Sequence, residues 1–223
     1  LWTAVIAKER DPSRDIVLID KGEVGGAASG RNGGFMESSL THGVGNGMDR
    51  HADEIDVLEE LGVSNLDEIE AAIERYRMDC EYERNGVIDV AHTNHPPSYL
   101  DELREEHDLL HSMGQRVTWL DQDAMRAEVD SPTYTGGLFR SGRAALVDPA
   151  KLAWELKRVA EELGVRIYEH TKATTSPETA PAWRCEPRSA RCAARRSSSA
   201  PMPTSPCSSA SASTWFPCTT TAW

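Results

Sequence analysis

The spacing of apolar residues predicts a helix followed by a strand at the start of the chain. Residues 1–10 carry apolar side chains at helical spacing, and Asp11-Pro12 ends that helix. The run Asp15–Asp20 is short, apolar and closed by an acid, which is the form of a buried parallel strand. A glycine-rich loop, residues 21–35, comes next.

The middle of the chain predicts helices and strands in an α+β order. Two amphipathic helices are expected within residues 52–79, broken at Gly62-Val63-Ser64-Asn65. Two strand-like pieces follow, Cys80–Glu83 and Val87–Ala91. The Asn-Gly dipeptide within Arg84-Asn85-Gly86 predicts a tight turn between them.

Residues 97–168 predict further helices and strands with recognisable ends. Asp121 and Asp148 are placed to cap helices, Pro149 suits a first helical position, and Gly164 suits a helix end. The predicted elements are a helix over 97–113, a strand over 117–120, a helix over 122–129, strands over 134–139 and 144–147 around a turn at Ser141-Gly142, a helix from 149 to 163, and a strand over 165–168.

Charge and hydropathy restrict the function classes. The net charge of −12 argues against nucleic-acid binding, which needs a concentrated basic surface. No apolar run approaches the roughly 18 residues of a membrane span, so no membrane span is expected. No signal peptide is recognisable, so we expect a cytoplasmic protein. Residues 1–10 resemble the middle of a helix without an initiator Met, so we expect the natural N-terminus to lie upstream.

The composition changes abruptly near residue 175. Residues 175–223 contain no Leu, Ile, Val or Gly, and 33 of the 49 are Ser, Pro, Thr or Ala. Three interpretations compete: a disordered tail, a module held by disulfides among its four cysteines, and translation of a GC-rich gene in the wrong frame. We favour the third, because a one-base shift turns Arg196–Thr204 into an apolar strand pattern followed by a turn.

Candidate chemistry is concentrated between residues 20 and 34. An acid that ends the second strand of a Rossmann βαβ unit accepts hydrogen bonds from the ribose of a dinucleotide, and Asp20 has this position. The string from Gly25 to Gly34 combines small residues with Ser29, Arg31 and Asn32. Small residues let backbone approach a ligand, and an arginine can face phosphate. The alternative for this string is a flexible glycine-rich loop.

The strand Asp15–Asp20 followed by G-G-A-A-S-G-R-N-G-G resembles the FAD-binding region of the D-amino-acid-oxidase-like flavoproteins, a family that includes glycine, sarcosine and γ-glutamylputrescine oxidases. The resemblance covers about residues 1–174. It implies that Asp20 binds the adenosine ribose, with Lys21 beside it. It further implies that Ala28, Ser29 and Gly30 lie along the pyrophosphate, and that Arg31, Asn32, Gly33 and Gly34 approach the ribityl chain and flavin ring.

The resemblance implies an α/β fold, in which an incomplete Rossmann-like FAD-binding sheet carries an inserted α+β substrate domain. The expected divisions are a partial FAD-binding domain over 1–45, the insert over 46–140, a return to the FAD-binding domain over 141–174, and a non-native or disordered tail over 175–223. The implied activity is FAD-dependent oxidation of a C–N bond in a small amine or amino-acid substrate by hydride transfer to flavin.

Two alternatives remain open at this stage. A nicotinamide-dependent dehydrogenase would account for Asp20 but not for the Ser-Gly-Arg-Asn-Gly-Gly string. The chain is also expected to be an inactive fragment that does not retain FAD, because a G-x-G-x-x-G loop would precede Leu1 and is absent from the sequence. No catalytic residue is assigned.

Several other motifs are interpreted as structural. Gly43–Gly47 resembles a phosphate loop but follows no strand, so it is predicted to be an ordinary loop. His107 and His111 stand one helical turn apart without a third ligand, and no metal site is expected. His42 is interpreted as a solvated loop residue, and Cys80 as a half-buried packing residue.

Overall fold

The computed structural model describes residues 1–174, 182–186 and 192–195. Its α-helices are α1 Trp2–Arg10, α2 Val44–His51, α3 Ile55–Tyr76, α4 Ser98–Ser112, α5 Gln122–Glu128 and α6 Pro149–Glu162. Its strands are β1 Val17–Ile19, β2 Phe35–Glu37, β3 Val87–His92, β4 Val117–Leu120, β5 Tyr134–Arg140, β6 Ala144–Leu146, β7 Arg166–Tyr168, β8 Lys172–Thr174, β9 Ala182–Glu186 and β10 Cys192–Arg195.

The chain divides into two compact units. The first unit comprises residues 1–16 and 24–165, and the second comprises residues 17–23 and 166–223. The first unit contains the six α-helices of the described residues, the antiparallel pair β2–β6 and the antiparallel sheet in the order β3-β5-β4. The second contains the parallel pair β1–β7 and the antiparallel sheet in the order β10-β9-β8.

The first unit has its core where α2, α3 and α4 pack with the three-stranded sheet. Leu138 of β5 is completely buried, and Leu110 of α4 is nearly so. They form one apolar cluster with Val44 and Ile55, and the partly buried Leu109, Met113 and Val117 pack against it. Burial of this kind is the main favourable contribution to folding, at about 25 cal/mol per Å² of apolar surface.

The second unit confirms the predicted parallel strand but not its burial. β1 pairs with β7 in parallel register, with Leu18 opposite Ile167. The side chain of Val17 is 36% exposed, and Leu18 and Ile19 are only partly buried. The prediction of a buried strand is therefore wrong for the described residues, in which β7 is the only strand paired with β1.

Both predicted helix caps are present. The Asp121 carboxylate accepts a hydrogen bond from the Ala124 N–H at 2.9 Å at the start of α5. The Asp148 carboxylate accepts from the N–H groups of Ala150 and Lys151 at 2.9 and 3.0 Å, and Pro149 is the first residue of α6. Each cap satisfies backbone donors that have no partner within the helix.

The predicted break at Gly62–Asn65 is wrong, because α3 is continuous from Ile55 to Tyr76. Gly62 is buried inside the helix, where a Cβ would lie 1.7 Å from the carbonyl oxygen of Ser38. The glycine permits close packing and does not end the helix. The prediction of a loop at Gly43–Gly47 is also wrong, because α2 begins at Val44.

The predicted hairpin at Asn85-Gly86 is not formed. Residues 80–83 are not a strand; Glu83 alone makes an isolated antiparallel bridge, to Leu146. Val87, on the other side of the dipeptide, pairs with Arg140 of β5. The two pieces therefore pair with different partners rather than with each other.

The helices, strands and parallel pair agree with the predicted α/β class. The predicted domain bounds at 45, 140 and 174 stay a prediction. Within the segment predicted to be non-native, β9 and β10 are strands, and the remaining residues of 175–223 lie outside the described part of the chain. In the described residues, no helix combines the length and the hydropathy needed to cross a bilayer.

Candidate functional site

The loop from Ala28 to Gly34 is a compact structure in the first unit. It opens with a 3-10 turn over Ala28–Gly30, which packs against α6. The Asn32 side chain then holds the loop together. Its Nδ2 donates to the carbonyl oxygens of Ala28 and Ser29 at 3.0 and 3.1 Å, and its Oδ1 accepts from the Gly34 N–H at 2.9 Å.

Two glycines of this loop are required by contacts within the protein. A Cβ on Gly30 would lie 2.1 Å from the carbonyl oxygen of Gly25. Gly34 has a φ of +74° and is buried, and its Cβ would lie 2.1 Å from the carbonyl oxygen of Val147. The Gly34 carbonyl also accepts a hydrogen bond from the Val147 N–H at 3.1 Å. These glycines therefore let the loop fold onto its neighbours.

The outer side of the same loop is exposed. Ala28, Ser29, Arg31, Asn32 and Gly33 are all exposed, and Gly30 is partly exposed. In the described part of the chain, neither the Ser29 hydroxyl nor the Arg31 guanidinium has a hydrogen bond or ion pair. A hydroxyl and a guanidinium on one short loop can both donate to an anion such as a phosphate.

Asp20 and Lys21 belong to the second unit, directly after β1. The Asp20 backbone continues the β1–β7 pairing, because its N–H donates to the Tyr168 carbonyl at 3.0 Å. Its Oδ1 accepts from the Gly22 N–H at 2.8 Å. The other carboxylate oxygen has no hydrogen bond among the described residues, and Lys21 is exposed. Asp20 can thus still accept a hydrogen bond from a ligand hydroxyl.

The predicted site residues therefore form two local groups. The structure brings Ala28 to Gly34 together in one folded loop of the first unit, and it places Asp20 and Lys21 at one strand end of the second unit. Their roles toward a cofactor stay predictions.

An apolar pair beside the glycine loop was not predicted. Phe35 of β2 lies directly opposite Leu146 of β6, and their side chains are 78% and 43% exposed. Phe35 directly follows the glycine string, so the sequence alone shows a large apolar residue at this position. Its pairing with Leu146 depends on contacts between distant parts of the chain, which local patterns do not reveal.

The remaining candidates have ordinary surroundings. His42 is exposed. His107 and His111 stack with ring centroids 5.9 Å apart, and the described residues contain no group of three or more His, Cys, Asp or Glu that could hold a metal. Cys80 is completely buried rather than half-buried. Burial raises the pKa of the Cys80 thiol, and the nearby Glu155 and Asp79 carboxylates raise it further.

The first unit also has a surface cleft of about 880 Å³ between α3, the end of α4 and Arg143. Two of its lining residues are paired, because the Arg143 guanidinium donates to the Glu59 carboxylate at 2.9 Å. The Gln115 amide donates to the same Glu59 oxygen at 3.0 Å. None of the predicted site residues lines this cleft.

Comparison with known proteins defines the class. A family model described as FAD-dependent oxidoreductase matches residues 1–196. The chain therefore belongs to this family of FAD-dependent oxidoreductases, as the resemblance in the sequence predicted. The match extends 22 residues beyond position 174, where the resemblance recognised in the sequence ended.

Individual relatives are similar over only part of their length. γ-Glutamylputrescine oxidoreductase of Escherichia coli is 30% identical over 174 residues, which cover 75% of this chain and 39% of that protein. The probable oxidoreductase OrdL of Haemophilus influenzae is 25% identical over 162 residues, covering 72% of this chain and 37% of that protein. The chain thus spans about two fifths of the length of these relatives.

A solved structure supports the fold. Glycine oxidase from Geobacillus kaustophilus superposes with a TM-score of 0.68 at 19% identity, covering 86% of this chain and 50% of that one. The likeness confirms that the α/β arrangement of the described residues is the one found in this enzyme.

Proposed function

We propose that the protein oxidises a C–N bond of a small amine or amino acid with FAD as its cofactor. The reaction removes a hydride and a proton from the H–C–N–H unit of the substrate and forms an imine, which water converts to a carbonyl compound and an amine or ammonia. FAD, when bound, supplies the hydride acceptor. The observation that carries the proposal is the folded loop of residues 28–34, with its exposed Ser29 and Arg31, in a chain of an FAD-dependent family.

The chemistry of the residues fits the parts of FAD. The Arg31 guanidinium offers paired N–H donors that suit a pyrophosphate, and the Ser29 hydroxyl adds a further donor. The Asp20 carboxylate oxygen that has no hydrogen bond among the described residues suits a ribose hydroxyl, and the Lys21 ammonium adds positive charge for phosphate. We therefore retain Asp20, Lys21, Ala28, Ser29, Gly30, Arg31, Gly33 and Gly34 of the predicted set as FAD contacts, and Asn32 as a member of the same loop.

The exposed pair of Phe35 and Leu146 extends this set. A large apolar surface directly after the glycine string favours contact with a flat apolar group, because burying it against water is favourable. We assign this surface to the flavin ring. Relatives named for γ-glutamylputrescine and glycine make these two amines the first substrates to test.

Two measurements test the proposal. The protein encoded by the complete gene and the 223-residue chain are purified separately, and visible flavin absorbance and bound FAD are quantified. Each is then assayed with γ-glutamylputrescine, glycine and other amines for loss of flavin colour without oxygen. We expect the complete gene product to bind FAD and to be bleached by an amine, and the 223-residue chain to show neither property. A complete gene product that ignores FAD would refute the proposal.

The nicotinamide alternative can be decided in the same preparation. Membership of an FAD-dependent family favours flavin over a nicotinamide cofactor. Oxidation of an amine coupled to NAD or NADP reduction, in protein free of flavin, would reverse this preference.

A further inference from the structure

Asn32 lies in the middle of the exposed glycine loop, and all three of its described side-chain hydrogen bonds are made within that loop. We propose that Asn32 is a positioning residue, which locks the loop so that Ser29 and Arg31 are presented to the FAD pyrophosphate and does not bind FAD itself. This inference rests on the proposed function and assigns Asn32 a different role from its neighbours.

The hydrogen-bonding capacity of the Asn32 carboxamide distinguishes a positioning role from direct binding of FAD. A phosphate oxygen can only accept a hydrogen bond, and an asparagine side chain can donate only through the two hydrogens of Nδ2. In Asn32, Nδ2 donates to the carbonyl oxygens of Ala28 and Ser29 at 3.0 and 3.1 Å. A direct bond from this side chain to phosphate would compete with these contacts.

The orientation of the amide is fixed by its partners. Oδ1 accepts from the Gly34 N–H at 2.9 Å, whereas two carbonyl oxygens surround Nδ2. Exchanging the oxygen and nitrogen would place Oδ1 against two acceptors and Nδ2 against a donor, and would lose all three bonds. The side chain therefore joins the 3-10 turn at the start of the loop to Gly34 at its end.

Other contacts fix the loop at both ends, and Asn32 connects them. Gly30 fits against the carbonyl of Gly25, and Gly34 fits against that of Val147. Ser29 and Arg31 flank the first of these anchors, Gly30, and both have exposed side chains that have no partner in the described residues. A loop already fixed in shape loses less conformational entropy when a ligand binds, which increases affinity.

A double-mutant cycle tests this role in the complete gene product. FAD dissociation constants are measured by flavin fluorescence for wild type, R31A, N32A and R31A/N32A. Hydrogen bonds from a charged group contribute about 1.5–3 kcal/mol, so we expect R31A alone to weaken binding roughly 10- to 100-fold. If Asn32 acts by positioning Arg31, the R31A change should weaken binding by less than about 3-fold in the N32A background.

Amide hydrogen exchange provides a readout that needs no cofactor. In the FAD-free protein, we expect N32A to accelerate exchange at Gly34, whose N–H bonds to Oδ1, with unchanged exchange in α4. N32S keeps a hydroxyl that can accept from the Gly34 N–H, and should be intermediate. N32D keeps an oxygen that can accept from the Gly34 N–H, but it replaces Nδ2 by an oxygen that faces the carbonyl oxygens of Ala28 and Ser29. This variant should bind FAD no better than N32A.

Asn85→Ala is the matched control, because it removes an exposed loop asparagine that bonds only to the Glu83 carboxylate in the described structure. It should leave FAD affinity unchanged. Equal effects of R31A in the wild-type and N32A backgrounds would overturn the positioning role, as would unchanged Gly34 exchange in N32A. Wild-type protein that binds no FAD would instead refute the proposed function, and the role of Asn32 toward FAD with it.

Discussion

At the scale of single residues, Gly62 shows how one missing methyl group permits helix packing. A Cβ there would overlap the backbone carbonyl of Ser38, which cannot move away like a flexible side chain. We expect Gly62→Ala to destabilise the protein by about 1–3 kcal/mol or more, since α3 must shift away from Ser38. The free energy of unfolding is measured by urea denaturation, with circular dichroism as the signal.

Gly45→Ala is the control for the same chemical change. Gly45 lies in α2, and a Cβ there would meet nothing within 4 Å. Alanine in a helix is favoured over glycine, so this variant should be neutral or more stable by about 0.5–1 kcal/mol. Equal destabilisation by both substitutions would contradict the packing explanation.

A second residue-scale expectation concerns Glu106 on α4. Burial raises the pKa of its carboxyl, the Asp89 and Glu37 carboxylates raise it further, and Arg140 opposes them. Arg140 is itself paired with Asp89 at 2.9 Å and with Glu37 at 3.5 Å. The pKa of Glu106 is therefore higher in the folded protein than in the unfolded chain. Between these two pKa values the folded protein binds more protons than the unfolded chain, so the free energy of unfolding decreases as the pH rises through that range.

Glu106→Gln removes the group that takes up this proton. We expect the variant to be more stable than wild type at neutral pH and to lose less stability as the pH rises above 4.5, the ordinary pKa of a glutamate. Thermal unfolding at a series of pH values would show the change in slope. Glu105→Gln, at the exposed neighbouring position, controls for removing one negative charge from α4.

At the scale of elements, the sequence predicted helix ends better than helix interiors. The caps at Asp121 and Asp148 follow a local rule, in which a side-chain oxygen accepts from backbone donors two or three residues later. The path of α3 through Gly62 depends on Ser38, and no spacing within the helix reveals that contact. Tertiary packing overrides local propensity here.

The same distinction explains why the predicted hairpin is not formed and why the sequence indicated only part of the candidate site. Asn85-Gly86 has turn propensity, yet Glu83 bridges to Leu146 and Val87 pairs with Arg140, both far along the chain. Ser29 and Arg31 could be selected from the sequence because their chemistry is local. The surface that Phe35 shares with Leu146 could not, because it exists only through the β2–β6 pairing.

The cap of α6 gives an expectation at this scale. Asp148→Ala removes the acceptor of two backbone N–H groups, and we expect a loss of about 1 kcal/mol in the free energy of unfolding. Asp148→Asn keeps a side-chain oxygen and should lose much less. Chemical denaturation of both variants decides the matter, and an equal loss in the two would mean that the charge, not the cap, is important.

At the scale of the whole molecule, cofactor binding and folding stability should be linked. A ligand that binds only the folded state stabilises it by about 2.7 kcal/mol when present at 100 times its dissociation constant. We expect FAD to raise the melting temperature of the complete gene product in proportion to the logarithm of its concentration. Arg31→Ala should shift this response to higher FAD concentrations, and AMP should substitute poorly, because it lacks the pyrophosphate.

The complete burial of Cys80 gives the first unit an internal reporter of its own opening. A thiol with no exposed surface cannot meet an alkylating reagent until the surrounding residues separate. The rate at which a peptide containing Cys80 gains an alkyl label, followed by mass spectrometry, therefore measures how often the unit opens. Substitutions that loosen the packing, such as Gly62→Ala, should accelerate labelling, whereas Gly45→Ala should leave it unchanged or slow it.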